Sequence, residues 1–241
     1  KSGGAGPGFY MLAGRSNIRC QDVVLRMTQI GKECHTHCRI YHRMGECIMP
    51  VQGVFAEVLS SGTIQTGSMM TVEFPAKDRP FTAAVITMSD KGSKGERKDE
   101  SGPAMKEGLT AAGFDVVEEL ILPDEKALLK KELIRLCDQR QVSLILTSGG
   151  TGFSERDTTP EATMEVMTRN APGIAEAIRA ESMKYTKRAM LSRGASVIRG
   201  QTLIVNLPGS PKAVRESMEI ILESVPHGLG ILRGSESECA R

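Results

Sequence analysis

The 241-residue chain sets 31 Lys and Arg against 29 Asp and Glu, a formal net charge of +2. That balance supplies no basic excess to draw nucleic acid or a membrane surface, so neither is expected as a partner. The length suits one large domain or two small ones, no apolar run nears the ~20 residues of a membrane helix, and no secretory leader is visible, so a bacterial-type cytoplasmic protein is expected.

The chain opens on KSGGAGPG, small and glycine-rich, and residues 1–19 read as an irregular tail. Short apolar runs of strand length follow at 23–27, 54–59 and 69–74, with turn signals at Ser60-Ser61-Gly62 and Gln65-Thr66-Gly67. Residues 20–74 therefore read as a small β-rich unit, with too few strands for a closed barrel. Residues 75–80, with a proline at each end and three charges between, read as a linker.

Beyond residue 80 strands alternate with helices. Residues 81–88 form a strand-length apolar run, and Gly102-Pro103 opens a helix that Gly113 ends. Residues 116–122 are the next strand. Pro123-Asp124-Glu125 starts a helix whose Leu129, Leu133, Leu136 and Cys137 share one face. A third strand spans 142–147, helices begin near Pro160 and Pro172, and residues 194–206 read as a strand pair turning at Arg199-Gly200. Ser210-Pro211 is an N-cap with a first-turn proline, opening a helix striped by Val214, Met218, Ile221, Leu222 and Val225. Residues 81–235 thus predict an α/β domain, a mainly parallel sheet with helices on both faces. With no Trp, its core must be aliphatic.

Ligands of open α/β sheets bind beyond the carboxyl ends of the strands, and four loops lie there. In Ser148-Gly149-Gly150-Thr151-Gly152 the glycines let backbone N–H groups approach an anion, although a Gly-Gly pair also serves as a plain tight turn. Arg156-Asp157-Thr158-Thr159-Pro160-Glu161 follows closely, placing a cation, a carboxylate, hydroxyls and a helix start together. The pattern is not a P-loop, for no Gly-Lys-Ser/Thr stands at the right spacing. Asp124 is either a helix N-cap or a ligand of Mg²⁺, which is often held by one or two carboxylates plus substrate phosphates; Asp157 would be its partner. Asn206-Leu207-Pro208-Gly209-Ser210 ends a strand and starts a helix, which makes it an anion site or an ordinary capped loop. Asp90 sits in a polar loop at the end of the first strand.

These loops, in this order, resemble the molybdopterin adenylyltransferase family, which includes MogA, its MoaB relatives and the G domain of gephyrin. The resemblance is carried by residues 87–90, 99–102, 122–125, 146–152, 156–162, 171–173, 190–193 and 206–210, and spans about residues 81–233. It implies that the terminal phosphate of molybdopterin attacks the α-phosphorus of Mg-ATP and releases pyrophosphate. Asp124 and Asp157 would then be the catalytic carboxylates acting through Mg²⁺. Substrate binding would fall to Asp90, Ser148, Gly149, Gly150, Thr151, Gly152, Thr159, Pro160, Glu161, Asn206, Pro208, Gly209 and Ser210. A homotrimer and a molybdenum-insertion protein as partner are implied too. A non-catalytic molybdopterin carrier and a nucleotide hydrolase are the alternative functions.

The stretch from Met27 to Cys38, with Gly53-Val54-Phe55-Ala56 and Gly62, resembles the C-terminal portion of a MOSC domain, a module of molybdenum-cofactor sulfur chemistry. Cys34 and Cys38 are candidate reactive thiols on that resemblance. Together with His35, His37, His42 and Cys47 they could also hold a metal, or serve simply as polar loop residues. Without an export signal the cysteines are read as thiols, not as a disulfide framework.

Overall fold

The computed structural model describes residues 12, 14–32, 36, 38–76 and 78–235. They fall into two compact units: residues 1–79 with 138–141, and residues 80–137 with 142–241.

The first unit is a four-stranded antiparallel sheet of β1 (Asn17–Cys20), β2 (Val23–Ile30), β3 (Val54–Ser60) and β4 (Thr71–Glu73), in the order β3-β2-β1-β4. Two short helices, α1 (Arg39–Met44) and α2 (Met49–Gln52), lie between β2 and β3. Its small core joins Leu12, Ile18 and Met27 to Leu25, Ile30, Val54 and Val72. Strand β1 corrects the expectation of an irregular tail over 1–19. It is an inner strand, pairing with β2 on one side and β4 on the other. Polar Asn17 and Arg19 break the apolar run, yet Ile18 and Cys20 alternate with Arg19 in the period of two that buries one face of a strand.

The second unit holds a six-stranded sheet of β5 (Thr82–Met88), β6 (Asp115–Leu122), β7 (Leu144–Ser148), β8 (Arg169–Asn170), β9 (Ser196–Arg199) and β10 (Thr202–Leu207). The order is β6-β5-β7-β10-β9-β8; β6, β5, β7 and β10 run parallel, while β9 and β8 add antiparallel pairs at one edge. Every residue of β5, β7 and β10 is buried. Alternate residues of these strands serve two cores. Ala83, Val85, Leu144, Leu146, Leu203 and Val205 face one cluster, and Ala84, Ile86, Ile145 and Ile204 the other.

Helices cover both faces, as expected. The first cluster is completed from α4 (Ser101–Ala111), α7 (Pro172–Ser182), α8 (Pro211–Ile221) and α9 (Val225–Arg233). The second is completed from α5 (Lys126–Ile134), its π-helical continuation Arg135–Gln139 and α6 (Thr159–Val166). A further short helix, α3 (Asp90–Ser93), follows β5 directly. Strand β5 is followed by α4 and by β6 on one side; the chain then returns through α5 to β7 on the other. This reversal leaves a crevice at the carboxyl ends of β5 and β7, where open α/β sheets bind their ligands. Among the described residues no helix is long and apolar enough to cross a membrane.

Candidate active site

The register fixes which loops share that edge. Met88 pairs with Leu122, Thr87 with Ser148, and Ser148 with Leu207, so all four parallel strands end together. The loops that leave them carry Asp90, Asp124, the glycine turn with Asp157, and Pro208-Gly209-Ser210.

Asp90 and Asp124 clasp each other. The Asp90 N–H donates to Asp124 Oδ2 and the Asp124 N–H donates to Asp90 Oδ1, each at 3.1 Å. Arg156 reaches in from the β7 loop and donates to Asp90 Oδ1 at 2.6 Å. That guanidinium bond, with the Asp124 N–H, holds the Asp90 carboxyl below the usual carboxylate range. Asp124 goes the other way. Burial pushes its carboxyl up, and the neighbouring Asp90 and Asp157 add like-charge repulsion that Arg156 offsets in part. Asp157 accepts from the Ser154 N–H at 2.9 Å through Oδ2. Three carboxylates therefore share one region with the single guanidinium of Arg156 bonded among them.

The glycines make room for this arrangement. A Cβ on Gly152 would stand 2.9 Å from Asp157 Oδ2, and one on Gly150 would stand 2.3 Å from Thr159 Oγ1 and 3.5 Å from Asp124 Oδ1. Gly149 has a φ of 95°, and a Cβ there would meet the Met88 carbonyl oxygen at 2.5 Å. Only a residue without a side chain lets β7 turn this close to the end of β5. Gly209 passes the same point from the β10 side, its own Cβ position 3.4 Å from Gly149 Cα.

Beside the turn opens a cavity of about 370 Å³, lined by Thr87, Ser89, Arg97, Lys98, Asp99, Ser101, Ser148, Gly209 and Ser210 among others. Its walls are tied together by hydroxyls: Ser148 Oγ donates to the Pro208 carbonyl at 2.9 Å, and Ser101 Oγ to the Gly209 carbonyl at 3.1 Å. Asp99 accepts from the Ser101 and Gly102 N–H groups at the start of α4 and from Thr87 Oγ1 at 2.8 Å. Ser210 caps α8 by accepting from the Ala213 N–H at 3.2 Å. Arg97 and Lys98 share this lining with Glu100 and with Asp99, whose carboxylate is taken up at the start of α4, and the start of α8 adds N–H groups that suit an anionic ligand.

The expected site residues divide accordingly. Ser148, Gly209 and Ser210 line the cavity, while Asp90, Asp124 and Asp157 gather beside it. Asn206, expected to line the pocket, is 3 % exposed. Its Nδ2 donates to Thr147 Oγ1 and Thr163 Oγ1, each at 2.9 Å, and its Oδ1 accepts from the Ala195 N–H at 3.1 Å. Thr151, Thr159 and Pro160 are buried under the loop as well, the Thr159 N–H donating to the Gly150 carbonyl at 3.1 Å. Glu161 pairs with Arg193.

Sequence reasoning passed over Arg193, Arg97, Lys98 and the capping Asp99 as site residues. Arg193 and Asp99 stood in stretches that carried the resemblance, which was the available signal. Cys38, in the first unit, is exposed before α1, and the Tyr41 and Ile40 N–H groups hold its thiol below the usual range. Cys34, His35 and His37 lie outside the described residues. Among the described residues no group of three or more His, Cys, Asp or Glu stands ready to hold a metal.

Residues 84–227 match the family model described as the probable molybdopterin binding domain. The chain belongs to that family. It is 41 % identical over 153 residues to the molybdopterin adenylyltransferase of Helicobacter pylori, a match covering 63 % of this chain and 87 % of the relative. The Escherichia coli molybdopterin adenylyltransferase is 38 % identical over 171 residues, covering 65 % and 87 %. Among solved structures, the molybdopterin biosynthesis enzyme MoaB of Thermus thermophilus aligns with a TM-score of 0.61 at 46 % identity, over 64 % of this chain and 97 % of that one. The Mog protein of Mycobacterium ulcerans aligns with a TM-score of 0.60 at 39 % identity, over 63 % and 99 %.

Proposed function

We propose that the second unit is a molybdopterin adenylyltransferase of molybdenum-cofactor synthesis, joining the terminal phosphate of molybdopterin to the adenylyl group of ATP. The observation that carries this reading is the meeting of Asp90, Asp124 and Asp157 with Arg156 at the strand ends, beside a cavity with Arg97 and Lys98 at its wall. The similar adenylyltransferases support it.

Both substrates are anions, and the nucleophile is a phosphate oxygen that needs no strong base. It forms a bond to the α-phosphorus while the bond from that phosphorus to the bridging oxygen breaks, and pyrophosphate leaves with the electron pair. The protein's task is placement and charge neutralisation. Arg97, Lys98 and the start of α8 suit one phosphate. Arg156, bonded to Asp90, brings a further guanidinium to these loops and suits the triphosphate.

Mg²⁺ fits this donor set. Asp124 and Asp157 offer hard oxygens, Asp124 is raised by burial and like charge, and a cation would relieve that cost. When bound it would neutralise the triphosphate and the departing pyrophosphate.

The test is pyrophosphate release from ATP and purified molybdopterin. Wild-type protein should release it, and Asp157→Ala should lower kcat by about 100- to 1,000-fold while molybdopterin still binds. Binding without pyrophosphate from the wild type would leave a carrier instead, and nucleotide cleavage without molybdopterin would leave a hydrolase. We further propose a homotrimer in the cytoplasm with a molybdenum-insertion protein as partner, and a MOSC-like role for the first unit. Sedimentation checks the first of these.

A further inference from the structure

Arg193 lies on the segment that leads into β9, more than 30 residues after Asp157 in the chain, yet it grips the loop that carries Asp157. Its backbone N–H donates to the Thr151 carbonyl at 3.0 Å and its Nε to the Gly152 carbonyl at 2.6 Å. One terminal nitrogen donates to the carbonyl of Asp157 itself, and the other to the carboxylate of Glu161 in the first turn of α6. A single guanidinium thus ties both ends of the loop from Gly152 to Asp157. Inside that closed segment the Asp157 N–H donates to the Ser154 carbonyl, and the Ser154 N–H donates to the Asp157 carboxylate, each at 2.9 Å.

The pattern of partners says what Arg193 does. Its charge is matched by Glu161, and its bonds to Asp157 and Gly152 go to backbone carbonyls. It therefore sets where the Asp157 carboxylate stands without neutralising it. The guanidinium is a rigid planar fork with five donors, whereas an ammonium is a point charge that cannot reproduce several fixed directions at once. Asp90 already occupies Arg156, so Arg156 does not substitute for this brace.

We propose that Arg193 is a positioning residue for adenylyl transfer, fixing the Asp157 carboxylate by clamping the loop between Gly152 and Glu161. This rests on the function proposed above.

Arg193→Lys keeps the charge beside Glu161 and loses the fork; Arg193→Gln serves as a second variant should the first fold poorly. With Arg193→Lys, kcat should fall about 100-fold, the scale of a misplaced catalytic group, with KM for molybdopterin unchanged. Because Arg193 acts through Asp157, adding Arg193→Lys to Asp157→Asn should slow that variant no further. Amide hydrogen exchange should quicken over residues 151–157 and stay unchanged in β5, β7 and β10. Wild-type kcat in the variants, a rise in KM alone, or multiplying losses in the double variant would each overturn the proposal. The exchange measurement needs no turnover: if the wild-type protein proves inactive the proposed function fails, whereas unaltered exchange over 151–157 removes the positioning role.

Discussion

Gly149 shows how much of the site one residue can decide. Its φ of 95° is one that residues with side chains rarely adopt, and the space where a Cβ would go is taken by the Met88 carbonyl oxygen. That obstacle is backbone at the end of a buried strand, so it cannot swing away as a flexible side chain would. Gly149→Ala should lose about 3 kcal/mol or more of stability, from the left-handed conformation and the clash together. Gly228, inside α9, has nothing within 4 Å of its Cβ position. Gly228→Ala should instead gain about 0.5–1 kcal/mol from helix propensity. Denaturant titration of the two variants checks the contrast. Equal small effects would mean that the β7 turn is looser than its geometry requires.

Between elements, Asn206 is the clearest case of a side chain whose work is hidden from sequence. An asparagine closing a strand beside Pro-Gly-Ser suggests a ligand, and the resemblance placed it in the pocket. Its partners come from β7, α6 and the turn before β9, which are remote in the chain and meet only in the folded sheet. Asn206→Leu should cost about 2–4 kcal/mol, because it leaves the Ala195 N–H and two buried threonine hydroxyls without their partner. The folded fraction should keep its KM. A raised KM at unchanged stability would restore the asparagine to the pocket. Arg193 escaped notice for the same reason, since its acceptors are mostly backbone carbonyls that no spacing rule reveals. By contrast β5, β7 and β10 were legible, because strands buried on both faces read as unbroken apolar runs. The helices after Pro172 and Ser210 were legible from their prolines and caps. Strand β1 was not, because its polar Asn17 and Arg19 mask a two-residue alternation only four residues long.

At the scale of the whole molecule, the function proposed above would have the carboxylates at the strand ends set the folded protein's own stability against affinity for a metal-bound nucleotide. The pKa of Asp124 is raised in the folded state, chiefly by burial. A carboxyl raised in this way contributes stability that is fully present below its unfolded pKa and is lost as pH rises through the folded value. Ionising it carries a cost of desolvation, to which the nearby Asp90 adds. Asp124→Asn removes the charge and retains an oxygen for the Asp90 N–H. The ligand-free variant should therefore melt higher than wild type at pH 7, and the two should converge as the solution is brought below the ordinary carboxylate range. Ligand should reverse the ranking. With Mg-ATP at 100 times its Kd, wild-type protein gains about 2.7 kcal/mol, or about 5–10 °C in Tm for a unit of this size. Asp124→Asn should gain little, because the carboxylate that a cation would relieve is gone. Thermal melts at two pH values, with and without Mg-ATP, separate the possibilities. If the variant melts lower at pH 7 without ligand, Asp124 is held chiefly for structure. If it keeps the full nucleotide shift, Asp124 is not the carboxylate that holds the proposed Mg²⁺.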